Sequence, residues 1–129
     1  MAEVKTCGDA LEYNIYQVFR QWTRLGHTPR EARGVEFRLE ELAWLSALAY
    51  WTLRHHMLAL TNALQFGAPV WRIADAMGIA RGDVAAIRAV WEPWARQEVH
   101  DHEHGYGLVS GESFEYILRV LADAEAAVR

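Results

Sequence analysis

Hydrophobic positions along the chain recur mostly at steps of three and four, the period of a helix packed on one side. Leu11, Ile15, Val18, Phe19 and Trp22 follow that period, which predicts a helix capped by Asp9 and running to about Leu25. Gly26-His27-Thr28-Pro29 then breaks the pattern, and residues 27–35 read as a loop with scattered charges. From Val35 or Glu36 to Phe66 the pattern resumes as one long helix that Gly67 should end. Leu39, Leu42, Ala43, Leu45, Ala49, Leu53, Met57, Leu60 and Leu64 supply its apolar face, and Trp44, Leu48, Trp51 and Leu58 widen it well beyond one stripe. A helix apolar nearly all round is covered on several sides, so it is expected to be the central post of the domain or also a subunit interface.

Pro69 can open a third helix, where its missing N–H is an orphan anyway, and that helix should stop at Gly78. A fourth is expected over about Arg81 to Val99, with Pro93 bending or splitting it. His100–Val109 reads as a polar loop with two glycines. Ser110 can then cap a last helix, 110–129, in which Phe114, Ile117, Leu118, Leu121 and Ala122 share a face. That face either finishes the core or pairs two copies. No strand-length alternation is present, so the fold class is all-α, a single domain of about five helices around a long central one.

The stretch Val70-Trp-Arg-Ile-Ala-Asp-Ala-Met-Gly-Ile-Ala-Arg-Gly-Asp-Val-Ala-Ala-Ile-Arg-Ala89 asks for a specific geometry. Two short helices crossing steeply need a small residue where they touch, and Ala74 stands there. They need a glycine where the turn takes positive φ, and Gly78 stands there. Ile73 and Met77 point inward from the first helix, Ile79 plugs the turn, and Val84 and Ile87 hold the second helix against the first. On these residues the stretch resembles the helix-turn-helix family of bacterial and phage DNA-binding regulators. The resemblance covers about 20 of 129 residues.

It implies a sequence-specific transcriptional regulator whose second helix, about 81–91, enters the major groove of double-stranded DNA. That helix would present Arg81, Gly82, Asp83, Ala85, Ala86, Arg88 and Ala89. Arg81 and Arg88 would reach guanine edges or phosphates, the alanines would touch thymine methyls, and Asp83 would repel phosphate unless it accepts from cytosine. Arg72 and the backbone N–H of Trp71 are the expected phosphate contacts. The family usually places Ser or Thr where Ala80 stands, which would cap the reading helix, and no Asn or Gln is available to pair with adenine. A homodimer with two arginine-led half-sites would restore affinity. The alternative from a different class is a protein–protein interaction module that keeps the shape without specific DNA binding.

Charge changes this picture only locally. The net charge is −4, but residues 20–96 carry ten arginines against seven acids, while 1–19 and 97–129 sum to −2 and −5. The basic middle coincides with the motif, and phosphate binding follows the local patch. A hydrophobic share of 52% in 129 residues is enough for a real core and excludes a disordered chain. Cys7 is the single cysteine, which rules out an internal disulfide and fits a reducing cytoplasm. No targeting segment is visible at Met1–Glu12. Arg54, His55, His56 and Asn62 interrupt the most apolar stretch, so no membrane partner is expected.

His100-Asp-His-Glu-His104 has the side chains of a metal site. Nothing nearby offers a fourth ligand at clear spacing, so it reads as a polar loop. A metal-responsive regulator using this loop is the weaker third reading. Trp91-Glu-Pro-Trp94 could stack on bases, but at that spacing it packs a helix end on the core. Glu40-Glu41 and Glu112/Glu115 resemble paired carboxylates but read as solvated faces. No nucleophile–base pair, phosphate-cradling glycine loop or cofactor motif appears, so the chain reads as a non-enzyme without cofactor, metal or small-molecule ligand.

Overall fold

The computed structural model describes residues 3–128; Arg129, expected as the last residue of the final helix, lies outside them. The described residues form six α-helices and no strand: α1 (Cys7–Ala10), α2 (Ile15–Leu25), α3 (Val35–Gln65), α4 (Val70–Met77), α5 (Val84–Glu103) and α6 (Gly111–Val128). A single 3-10 turn at Arg30–Ala32 precedes α3. No described helix is long and apolar enough to cross a membrane. The chain divides into two compact units at His55/His56, within α3.

In the first unit, the single helix expected from Asp9 to Leu25 is two. Thr6 caps α1, and Asp9 sits three residues on, its carboxylate accepting from the Thr6 and Lys5 amides. Asn14 begins a second capping box: its side chain accepts from the Gln17 amide at 2.9 Å, and the Gln17 side chain accepts from the Asn14 amide at 2.9 Å. Apolar spacing alone runs through this break, because Leu11 and Ile15 keep helical register across it.

The core of this unit is Val4, Ala10, Val18, Leu25, Ala43, Trp44 and Ala47. Trp51 donates its indole N–H to the Tyr13 carbonyl at 3.1 Å. The Tyr13 and Trp44 rings meet edge-on at 5.3 Å. The described residues do not give this half of α3 the expected cover on several sides: Leu39, Leu42, Leu45 and Leu53 are exposed. The short α1 and α2 offer one face of cover, so only the side of α3 bearing Ala43, Trp44 and Ala47 is buried. Phe19 and Trp22 of α2 are exposed too.

In the second unit, Met57, Leu60 and Leu64 of α3 join Ile73, Ala74, Val84, Ile87, Trp91, Ala95, Val109, Phe114, Ile117 and Leu121 in one core. Trp91 is fully buried, stacks on Phe114 at 5.5 Å, and donates its indole N–H to the Thr61 hydroxyl at 3.0 Å. Thr61 in turn donates to the Met57 carbonyl at 2.7 Å. The buried polar chain is therefore satisfied at each step. The Trp91 packing agrees with the expectation for Trp91-Glu-Pro-Trp94.

α5 runs on through Pro93 as one helix and ends at Glu103. The expected loop at 100–109 is consequently shorter: His100 to Glu103 are helical, and the non-helical stretch begins at His104. The buried Glu98 carboxylate accepts from the Leu108 amide at 3.0 Å and ties that stretch to α5. Ser110 caps α6 as expected, its hydroxyl accepting from the Ser113 amide at 3.1 Å. Phe114, Ile117 and Leu121 face the core, while Ala122 of the expected face is exposed.

Candidate nucleic-acid interface

α4, its turn and α5 carry the motif. α4 ends at Gly78, which adopts φ 72° and ψ 26°. The Gly78 amide donates to the Asp75 carbonyl at 3.2 Å and the Ile79 amide to the Ala74 carbonyl at 2.8 Å. This paired closure of a helix C-terminus brings Ile79 back against the helix it has left. Ile79 is half-buried against the core. Ala74, Ile73, Val84 and Ile87 are all buried, Ile87 fully. Ile73, Ala74, Val84 and Ile87 are thus buried, and Met77 and Ile79 half-buried, as the sequence pattern leads one to expect.

α5 starts later than the expected Arg81, at Val84. Ala80–Asp83 forms a second turn in which Gly82 takes φ 85°, and Asp83 caps α5 by accepting from the Ala86 amide at 3.1 Å. Local chemistry explains the shift: Ala80 has no side-chain oxygen with which to cap a helix, whereas Asp83 does. Arg81 and Gly82 thus lie before α5, Asp83 at its cap, and Ala85 and Arg88 in its first turns. Ala85 and Ala89 are exposed, and Ala86 and Arg88 are half-buried.

The cations are held by acids close by. The Arg81 guanidinium makes a two-pronged contact with Asp75, at 2.9 Å and 2.7 Å, and lies over the Trp71 ring at 4.8 Å. The hydrogen bond from Arg81 holds the Asp75 carboxyl below the usual carboxylate range, and the same bond raises Arg81. Arg88 donates to Glu92 at 3.0 Å and lies 3.6 Å from Glu125 of α6. Its guanidinium is raised first by the Glu92 bond and then by Glu125. Glu92 also accepts from Arg96 at 2.7 Å, and the two arginines hold its carboxyl low, Arg88 the more strongly.

Trp71 is half-exposed and Arg72 exposed, both in the first turn of α4. The end of α6 lies beside the start of α5. Val70, Trp71, Ala74, Gly82, Ile87 and Val128 are among the residues lining an open apolar cleft of about 220 Å³ there.

The structure thus brings Trp71, Arg81 and Asp75 together, and separately Arg88, Glu92 and Glu125. Sequence reading missed the three acids. Glu92 stands four residues after Arg88 and was visible as a helical pair. Asp75 and Glu125 reach their arginines only through the turn and the packing of α6. His100 in the last turn of α5 and His104 just past its end have rings 4.5 Å apart, with His104 Nδ1 at 2.8 Å from the His100 carbonyl. Helical geometry removes the alternation that would have put His102 on their side. Among the described residues no three His, Cys, Asp or Glu side chains converge as metal ligands would. No protein-family model, curated protein or solved structure matches the chain.

Proposed function

We propose that α4 and α5 form a helix-turn-helix that binds double-stranded DNA as a pair of copies, with α5 laid in the major groove, and that the protein regulates transcription. The carrying observation is the frame itself: buried Ala74 at the helix contact, left-handed Gly78, half-buried Ile79, and Val84 and Ile87 locked beneath α5. The exposed start of α5 bears small side chains, Ala85 and Ala89, which let a backbone approach base edges closely.

The late start of α5 reassigns the contacts. Arg81, in the turn, becomes a phosphate contact beside Arg72 and the Trp71 amide, and not a base reader. Asp83 is occupied as the helix cap. Arg88 is the one cation on the reading face of α5, and it must leave Glu92 and Glu125 to reach a guanine. The exposed Arg81–Asp75 pair contributes little to stability, so giving it up for a phosphate costs little. The arrangement therefore favours backbone-led, modestly selective binding that two half-sites reinforce.

A second reading has its own observation: with Arg81 on Asp75 and Arg88 between Glu92 and Glu125, this face is close to neutral, as suits a protein-binding module.

Fluorescence anisotropy with a random-sequence duplex pool across a salt series separates the two. Under the DNA reading, affinity falls steeply with salt, each phosphate contact adding about 0.9 to the logarithmic slope. Arg81→Ala should lower affinity evenly across sequences and reduce the slope by about one contact. Asp75→Asn, which frees Arg81, should raise affinity. No binding at low salt refutes DNA recognition and leaves the interaction module.

A further inference from the structure

The first half of α3 bears a stripe that the described residues leave largely exposed. Val35, Leu39, Leu42, Ser46, Ala49 and Leu53 succeed one another at alternating steps of four and three. That seven-residue repeat is the seam of a coiled coil and not of a globular face, which needs a broader stripe. Leu42 is 60% exposed, Leu53 55% and Leu39 48%. Leu45 and Tyr50, also exposed, flank the stripe. The cover that α1 and α2 give to α3 is on Ala43, Trp44 and Ala47, off this stripe.

We infer that this stripe is the seam of a homodimer, closed by the α3 of a second copy. Three observations choose that occupant. The spacing of the stripe is that of a helix-on-helix seam, and a second copy brings a stripe of identical spacing, as an isologous contact requires. No charged side chain interrupts the stripe, so the two copies meet without like-charge repulsion, and small Ser46 and Ala49 at its middle let the helices approach closely. The stripe spans about 27 Å of helix. With Leu45 and Tyr50 it presents on the order of 600 Å² per copy, so the pair buries about 1,200 Å², the lower edge of stable interfaces. The apolar side of α6, the other candidate for pairing, is taken up in the core of its own unit. This seam supplies the pairing that the DNA reading calls for, but a dimer that ignores DNA would refute only that reading and keep the seam.

Analytical ultracentrifugation of the full chain tests it. The wild type should be a dimer at about 100 µM. Leu42→Glu should raise the dissociation constant at least about tenfold with the helical circular dichroism unchanged. Tyr116→Glu, on the exposed part of α6, should leave the dimer intact. A monomeric wild type overturns the seam and leaves the stripe to a helix of another protein. A dimer indifferent to Leu42→Glu, or one dispersed by Tyr116→Glu while Leu42→Glu leaves it intact, overturns it too.

Should Leu42→Glu lose helicity, cross-linking decides. Cys7 is the sole native thiol, so in a Cys7→Ser background Ser46→Cys should give covalent dimers with a short bismaleimide, and Glu115→Cys should not. No cross-link at Ser46→Cys overturns the proposal.

Discussion

Replacing Gly78 with alanine isolates the backbone demand on which the junction from α4 to α5 depends. Gly78 holds φ 72° and ψ 26°, the left-handed region. A Cβ built there meets no heavy atom within 4 Å, so the substitution costs nothing in packing. What remains is the penalty for an L-residue in this region, about 1–2 kcal/mol. Alanine also narrows the unfolded ensemble, which offsets that by about 0.4–1 kcal/mol. The net expectation, from the midpoints of the two ranges, is a loss of about 0.8 kcal/mol. Gly111, at the start of α6, is the matched control: its φ is not positive and its surroundings are equally open. Gly111→Ala should therefore stabilise by about 0.4–1 kcal/mol. Urea unfolding followed by far-ultraviolet circular dichroism reads both, as midpoint shifts at constant slope. Asparagine tolerates the left-handed region better, so Gly78→Asn should fall between wild type and Gly78→Ala. If Gly78→Ala matches the wild type, or moves the midpoint the same way as Gly111→Ala, the turn is not held by this glycine and the argument fails.

Two further outcomes follow from the second unit. Thr61→Val keeps the shape at position 61 but removes the acceptor of the buried Trp91 N–H, and should cost about 1–3 kcal/mol. Thr61→Ser keeps both hydrogen bonds and should cost only about 0.8 kcal/mol for the lost methyl; equal losses in the two variants would show that the hydrogen bond contributes nothing. Glu92 is held low by Arg88 first and Arg96 second, so its folded pKa lies below the ordinary 4.5. Its contribution is complete above that value and disappears as pH falls through the lower folded one. Glu92→Gln should accordingly flatten the acid side of the stability profile, and an unchanged slope in thermal melts from pH 5 downward would count against it.

Much of the motif was legible because its demands are local. A small residue at Ala74, a glycine at Gly78 and inward apolar groups at Ile79, Val84 and Ile87 specify the frame within a few turns of chain. The start of α5 differs from the expected Arg81 for an equally local reason: the cap at Asp83, and not the arginine, decides where helical hydrogen bonding begins. The break before Asn14 has the same character, since a capping box outweighs continuous apolar register.

By itself, then, the sequence determined the all-α class, the long α3, the frame around Gly78 and the capped α6, since periodicity, caps and a left-handed glycine act over a few residues. The tertiary structure alone decided which groups meet. Arg81 found Asp75 through the turn, Arg88 found Glu125 through the packing of α6, and Trp91 found Thr61 across thirty residues of chain. It also decided that, among the described residues, Val35, Leu39, Leu42 and Leu53 of the heptad stripe stay exposed. Apolar periodicity says that a face wants burial, but whether something covers it depends on elements distant in the chain.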